Sequence, residues 1–127
     1  MSMEPLAVKD EESAYPIAGS WRPIFREVVK AFAEDDFELS QGVVGVAPVD
    51  PSIASQNRAF VRNYDELLVE LPEDTWATSC AQWMGQHWEV LVDLYTEGEG
   101  ASDLVLTGHM NVLNGKPQFT VGLIYVP

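Results

Sequence analysis

The chain of 127 residues is poor in cysteine, in basic side chains and in long apolar runs. Its single cysteine, Cys80, excludes an internal disulfide and any all-cysteine zinc site. No apolar run reaches the roughly 18–20 residues that span a bilayer. The acidic residues 1–12 lack the basic start and apolar middle of a signal peptide. We therefore expect a cytoplasmic protein that has no membrane partner.

Basic side chains are scarce and unevenly placed. Seven Lys and Arg residues oppose twenty Asp and Glu residues, so the formal net charge is −13. This balance argues against nucleic-acid binding, since phosphate contacts need clustered Lys and Arg. Five of the seven cations recur at four-residue spacing in two stretches, namely Arg22, Arg26 and Lys30, and Arg58 and Arg62. From position 63 onward ten acidic residues accompany one lysine, which predicts one strongly negative side.

The length suits a single domain, which we expect at residues 20–127 behind a flexible acidic tail at residues 1–19, whose Tyr15, Pro16 and Ile17 could contact the core. Trp21, Phe25 and Phe32 recur at helical spacing, which predicts a helix ending near residue 34. Asp50 followed by Pro51 is a good helix start, and that second helix should end near residue 63. Residues 66–71 are a candidate strand.

From Trp76 onward the apolar period changes to two, which predicts antiparallel strands. A Gly85-Gln86 turn predicts a hairpin in which Trp83 lies opposite Trp88, and the small side chain of Ala77 lies opposite the large one of Leu94.

An Asn114-Gly115 turn is a strong hairpin signal, and its predicted pairs are Met110 with Phe119, Leu106 with Leu123, and Leu104 with Tyr125. The expected fold is therefore α+β, with two N-terminal helices packed on a curved antiparallel β-meander of about four strands.

The outer face of this sheet is the one place where the sequence suggests chemistry. The predicted register places Glu89 near His109, and a carboxylate can hold a histidine in one tautomer for acid–base work. The same pair is equally explained as an ordinary cross-strand charge contact. His87 beside the turn is predicted to face solvent. Since zinc, calcium, phosphate-loop and nucleophile-elbow motifs are absent from the sequence, we expect no catalytic residue, no metal site and no cofactor.

Four segments carry a resemblance to an uncharacterised family of small acidic bacterial single-domain proteins over about residues 20–127. They are Ser20-Trp21-Arg22-Pro23, Trp76-Ala77-Thr78-Ser79 with Gln82-Trp83, Trp88-Glu89-Val90-Leu91-Val92-Asp93-Leu94, and Ser102-Asp103-Leu104-Val105-Leu106. This family brings no established activity. In size, charge and build the chain also resembles the immunity proteins that neutralise bacterial toxins.

The second resemblance implies an acidic inhibitor of a basic partner protein. Under this hypothesis the partner-binding residues are acidic side chains of the second half with two exposed aromatic anchors, namely Asp93, Glu97, Glu99, Asp103, Trp76 and Tyr95. The alternative explanation of the acidic residues is a surface that only confers solubility.

A second hypothesis follows from Asp35-Asp36-Phe37-Glu38, which resembles the stretch after the early helices in the cystatin-like cone fold of the nuclear-transport-factor-2 superfamily. That resemblance implies a small-molecule pocket, in an enzyme or a ligand binder, that reaches Glu89 and His109. Large side chains on the predicted apolar sheet face would leave such a pocket little space.

Overall fold

A computed structural model describes residues 5–127. Two helices are followed by most of a five-stranded antiparallel sheet in the order β1-β2-β3-β4-β5. The elements are β1 (Tyr15–Pro16), α1 (Arg22–Ala33), α2 (Pro51–Tyr64), β2 (Cys80–Trp83), β3 (Trp88–Thr96), β4 (Gly100–Leu113) and β5 (Lys116–Tyr125). The α+β class is confirmed, with one more strand than expected. Within residues 5–127 no helix has the length and apolar character needed to cross a membrane.

The helix α1 begins and packs as its sequence pattern predicts. Pro23 lies in the first turn, where its missing N–H costs nothing. Its buried side chains share one face and are Phe25, Val28, Val29 and Phe32. They pack against the inner face of the sheet, which large side chains fill, including Trp88, Val90, Val92, Leu94, Leu104, Leu106, Met110 and Phe119.

The helix α2 starts at the predicted cap, because the Asp50 carboxylate accepts a hydrogen bond from the Ser52 N–H at 2.7 Å. Its buried face differs from an ordinary apolar stripe. Phe60 is exposed, whereas Asn57 is almost completely buried. The Asn57 amide donates to the Gly122 carbonyl at 3.0 Å and accepts from the Ile124 N–H at 2.7 Å. The Asn57 side chain thereby connects α2 to the backbone of β5 by two hydrogen bonds.

The first hairpin has the predicted register, in which Trp83 lies opposite Trp88. The predicted pairing of Ala77 with Leu94 is wrong, because residues Glu73–Ala77 form a 3-10 helix and β2 starts only at Cys80. Side chains replace the missing ladder there, since the Thr75 hydroxyl donates to the Asp93 carbonyl at 2.6 Å.

The second hairpin turns at Asn114-Gly115, where both residues have positive φ (52° and 77°) as a type I′ turn requires. Met110 pairs with Phe119 as predicted. A bulge between Leu106 and Gly108 then shifts the register, so that Leu106 lies opposite Ile124 and not Leu123. The predicted pairing of Leu104 with Tyr125 is also wrong, because Val105 lies opposite Tyr125.

Residues 5–17, for which the sequence predicts a flexible tail, lie along the first hairpin. β1 pairs with β2, and Ile17 is completely buried. The Trp88 indole donates to the Val8 carbonyl at 3.0 Å, and the Gln82 amide donates to the Glu11 carbonyl at 2.7 Å. Residues 66–71, a candidate strand, form a single bridge between Leu68 and Thr96.

Candidate functional site

Four acidic residues meet where the β3–β4 hairpin turns, and we call Glu66, Glu97, Glu99 and Asp103 the acidic end. The Gly98 N–H donates to the Glu66 carboxylate at 3.0 Å. The Tyr64 hydroxyl accepts from the Asp103 N–H at 3.3 Å. The nearby Glu99 carboxylate accepts a hydrogen bond from the same hydroxyl, which raises the pKa of Tyr64. The acidic end is therefore ordered by local hydrogen bonds.

A cleft of about 710 Å³ lies beside the acidic end, and we call it the acidic cleft. Its apolar lining consists of Phe32, Ala33, Phe37, Val61, Leu67 and Leu68. Its polar lining consists of Asp35, Arg62, Asp65, Glu66, Glu97 and Gly98. The volume is in the range of small-molecule and side-chain binding pockets. An apolar surface bordered by carboxylates suits a ligand in which an apolar part lies next to a positively charged group.

Both helices direct negative potential toward this cleft. α1 ends at Ala33 and α2 at Tyr64, immediately before lining residues of the cleft. The free carbonyl groups of a helix C-terminus carry about half a negative charge and favour cations. The cation in the lining, Arg62, is bound to Asp35 at 2.9 Å. The unpaired carboxylates and the helix ends therefore set the charge of the site.

The structure brings together three of the six predicted partner-binding residues. Glu97 lines the acidic cleft, and Glu99 and Asp103 lie beside it. Tyr95 is half-buried, and its carbonyl accepts from the Val69 N–H at 3.1 Å. Asp93 lies elsewhere, half-buried on β3. Burial, and to a lesser degree the charge of Asp93, raises the pKa of Cys80.

Trp76 does not lie at the surface, and its predicted role as an exposed anchor is wrong. The side chain is only 5% exposed and packs against Phe25. The guanidinium groups of Arg22 and Arg26 lie over its ring, 5.3 and 5.7 Å from the centroid. The 3-10 helix turns Trp76 inward, whereas the predicted strand would have left it outside.

The outer face of the sheet contains a second concavity, which we call the sheet groove. Glu89 lies directly opposite His109 in the β3–β4 register, as predicted. The groove holds about 390 Å³, and its side-chain lining includes Glu89, Leu91, Thr107, His109, Thr120 and Tyr125. It lies on the face of the sheet opposite the helices and includes Glu89 and His109, the two residues that the cone-fold hypothesis names. The inner face is filled by the core.

His87 was not expected at this site, since the sequence predicts that it faces solvent. Its ring is half-buried and stacks on the ring of His109, with centroids 4.0 Å apart and planes 27° apart. Nitrogen and oxygen ligand atoms of His87, Glu89 and His109 all lie within 4.8 Å of one another. We call these residues the His/Glu cluster. The predicted register brought Glu89 and His109 together, whereas the place of His87 follows from the turn before β3 and its stacking on His109.

Comparison with known proteins gives a family and no described function. No curated protein matches the chain, and no solved structure matches it. Residues 29–127, which include both helices' contributions to the acidic cleft and the whole His/Glu cluster, match a domain of unknown function, DUF7668. The chain therefore belongs to the DUF7668 family.

Proposed function

We propose that the protein binds a basic partner protein, and that a segment of the partner with apolar and cationic side chains occupies the acidic cleft. The observation that carries this proposal is the combination of an apolar lining with carboxylates and two helix C-termini in one cleft of about 710 Å³. Apolar side chains of the partner segment would occupy the cleft, and neighbouring Lys or Arg side chains would contact Glu97 and Glu66.

The distribution of ion pairs supports this assignment. Among residues 5–127, salt bridges engage Arg26, Arg58 and Arg62, and their acidic partners are Glu73, Asp35 and Glu38. Within the part of the chain that the structure describes, the acidic end takes no part in these pairs, and Glu97, Glu99 and Asp103 are exposed. A basic partner would relieve their mutual repulsion and be attracted over a distance.

The exposure of Leu67 supports an apolar contribution to binding. This cleft residue is 69% exposed, and its backbone carbonyl is held by the Glu97 N–H at 2.9 Å. Burial of such a side chain stabilises a complex in proportion to the apolar area removed from water. In its most specific form, the proposal is a cytoplasmic, immunity-like inhibitor that blocks a basic protein by occupying its surface.

The experiment uses isotope-labelled protein and two synthetic peptides, one of alternating Leu and Lys and one with Glu in place of Lys. The Lys peptide should shift amide resonances at residues 32–37, 61–68 and 97–98, and the Glu peptide should shift none of them. Binding should weaken as salt is raised to about 0.15 M, where the Debye length is about 8 Å.

A charge-matched pair of variants separates a local site from a general attraction. The cleft variant combines Glu97→Gln, Glu99→Gln and Asp103→Asn, whereas the control combines Glu12→Gln, Glu27→Gln and Asp74→Asn. Both sets are exposed and change the net charge equally. The cleft variant should slow association severalfold more than the control, with less effect on dissociation. Equal effects, or resonance shifts spread evenly over the acidic surface, would leave the solubility explanation in place.

The second hypothesis, a small-molecule binder, is favoured by one observation, the sheet groove of about 390 Å³ beside Glu89 and His109. A fragment screen by resonance shifts tests it. Shifts confined to Thr107, Thr120 and Tyr125 would support binding in this groove, and their absence for every fragment would count against it.

A further inference from the structure

The His/Glu cluster combines three side chains that share one metal chemistry. Two imidazoles and one carboxylate are a donor set used by zinc and by other divalent first-row transition metals. The chain contains two histidines in all, and both lie in this cluster. We propose that His87, Glu89 and His109 form a binding site for a divalent transition-metal ion of the zinc class.

Rigid secondary structure positions the three ligands. Glu89 is the second residue of β3, and His87 lies in the turn just before that strand, where its ring stacks on the ring of His109. His109 lies opposite Glu89 on β4, and its own opposite neighbour on β5 is Thr120. The Met84 N–H donates to the His87 carbonyl at 2.8 Å, which closes the hairpin and fixes the backbone of the first ligand.

The ligand atoms already lie close to the separation that a zinc site needs. Zinc–nitrogen bonds of 2.0–2.1 Å place the ligand atoms of a tetrahedral site about 3.3 Å apart. In the structure these atoms lie within 4.8 Å of one another, and the side chains of Glu89 and His109 are exposed. The net charge of −13 further favours uptake of a cation.

Three protein ligands leave a fourth position, which is typical of metal sites that bind water or a ligand. Here that position opens toward the sheet groove, because Glu89 and His109 belong to both the cluster and the groove lining. The proposed site is therefore an exposed, three-ligand site next to a groove. It is independent of the acidic cleft, which shares none of these residues.

The test titrates the purified full chain with Zn²⁺ by calorimetry and with Co²⁺ by visible absorption, in the presence of excess Mg²⁺. We expect one equivalent of Zn²⁺ to bind, and the Co²⁺ complex to show the intense absorption of a four-coordinate site. His87→Gln, Glu89→Gln and His109→Gln should each weaken Zn²⁺ binding by at least about tenfold. Circular dichroism of the metal-free variants checks that the fold is intact.

A control variant separates coordination from general attraction of cations to an acidic protein. Glu97→Gln with Glu99→Gln removes more charge than Glu89→Gln but leaves the His/Glu cluster intact, so its Zn²⁺ affinity should stay within about twofold of the parent chain. Displacement of Zn²⁺ by Mg²⁺, a Co²⁺ spectrum unlike a four-coordinate one, or equal losses in His109→Gln and the control would overturn the proposal. None of these outcomes bears on peptide binding in the acidic cleft.

Discussion

The replacement Asn57→Ala should destabilise the protein more than any ordinary change on the surface of α2. It removes two hydrogen bonds and leaves the Gly122 carbonyl and the Ile124 N–H without partners in the interior. Each orphaned buried group costs about 1–3 kcal/mol, so the free energy of unfolding should fall by about 2–6 kcal/mol. Since small domains are stable by about 5–15 kcal/mol, this is a large share of the total.

Thermal and chemical denaturation measure this loss. For a domain of this size the melting temperature should drop by roughly 10–20 °C. The matched control is Asn63→Ala, an exposed asparagine on the same helix, whose effect should stay within about 0.5 kcal/mol. Both variants gain the same helix propensity, so that contribution cancels in the comparison.

Amide hydrogen exchange adds a local test of the same reasoning. The Ile124 N–H should exchange faster in Asn57→Ala, beyond the change expected from global stability alone. If Asn57→Ala melts within a few degrees of Asn63→Ala, and the Ile124 amide stays protected, then the two bonds do not hold α2 to β5 as described.

Two further predictions concern a surface ion pair and a close approach of strands. The pKa of Glu38 is lowered to about 2, chiefly because the Arg58 guanidinium donates hydrogen bonds to its carboxylate. A folded-state pKa below the ordinary value of 4.5 stabilises the protein above about pH 4.5, and this contribution is lost as pH falls toward 2. In Glu38→Gln, the free energy of unfolding measured by urea titration should therefore fall less steeply between about pH 4.5 and 2 than in the parent chain. Gly108→Ala would place a methyl group 2.5 Å from a Phe119 ring carbon and against the Thr120 carbonyl, and it should lower the free energy of unfolding by about 1–3 kcal/mol; an unchanged urea midpoint would refute this packing argument.

Features set by neighbouring residues were predictable from the sequence. The Asp50 cap and the Asn114-Gly115 turn depend on backbone chemistry within a few positions, and both hairpins have the predicted register near their turns. The bulge after Leu106 was not predictable, because no turn or local pattern near that position specifies it. Its cause lies in tertiary packing.

In the candidate sites, too, local features were predictable from the sequence and features set by tertiary packing were not. The acidic cleft combines segments around positions 33, 62, 67 and 97, which no local pattern connects. Only its negative charge was visible in the sequence. Trp76 was misplaced because an alternating pattern was extended into a 3-10 helix that hydrogen bonds from Thr75 stabilise. His87 was predicted to face solvent from its position beside the turn, but it is half-buried because its ring stacks on His109, a contact between residues 22 positions apart.

The attachment of β5 has a consequence for self-association. An edge strand with free N–H and C=O groups is a template on which another chain can add a strand and begin to aggregate. Here the Phe119 N–H donates to the Gly45 carbonyl, and the Phe119 carbonyl accepts from the Ala47 N–H. The Asn57 side chain binds the Gly122 carbonyl and the Ile124 N–H. The outward backbone of β5 is thus occupied along much of its length by the chain's own loop and helix. These contacts protect the protein against intermolecular strand addition as well as holding its layers together.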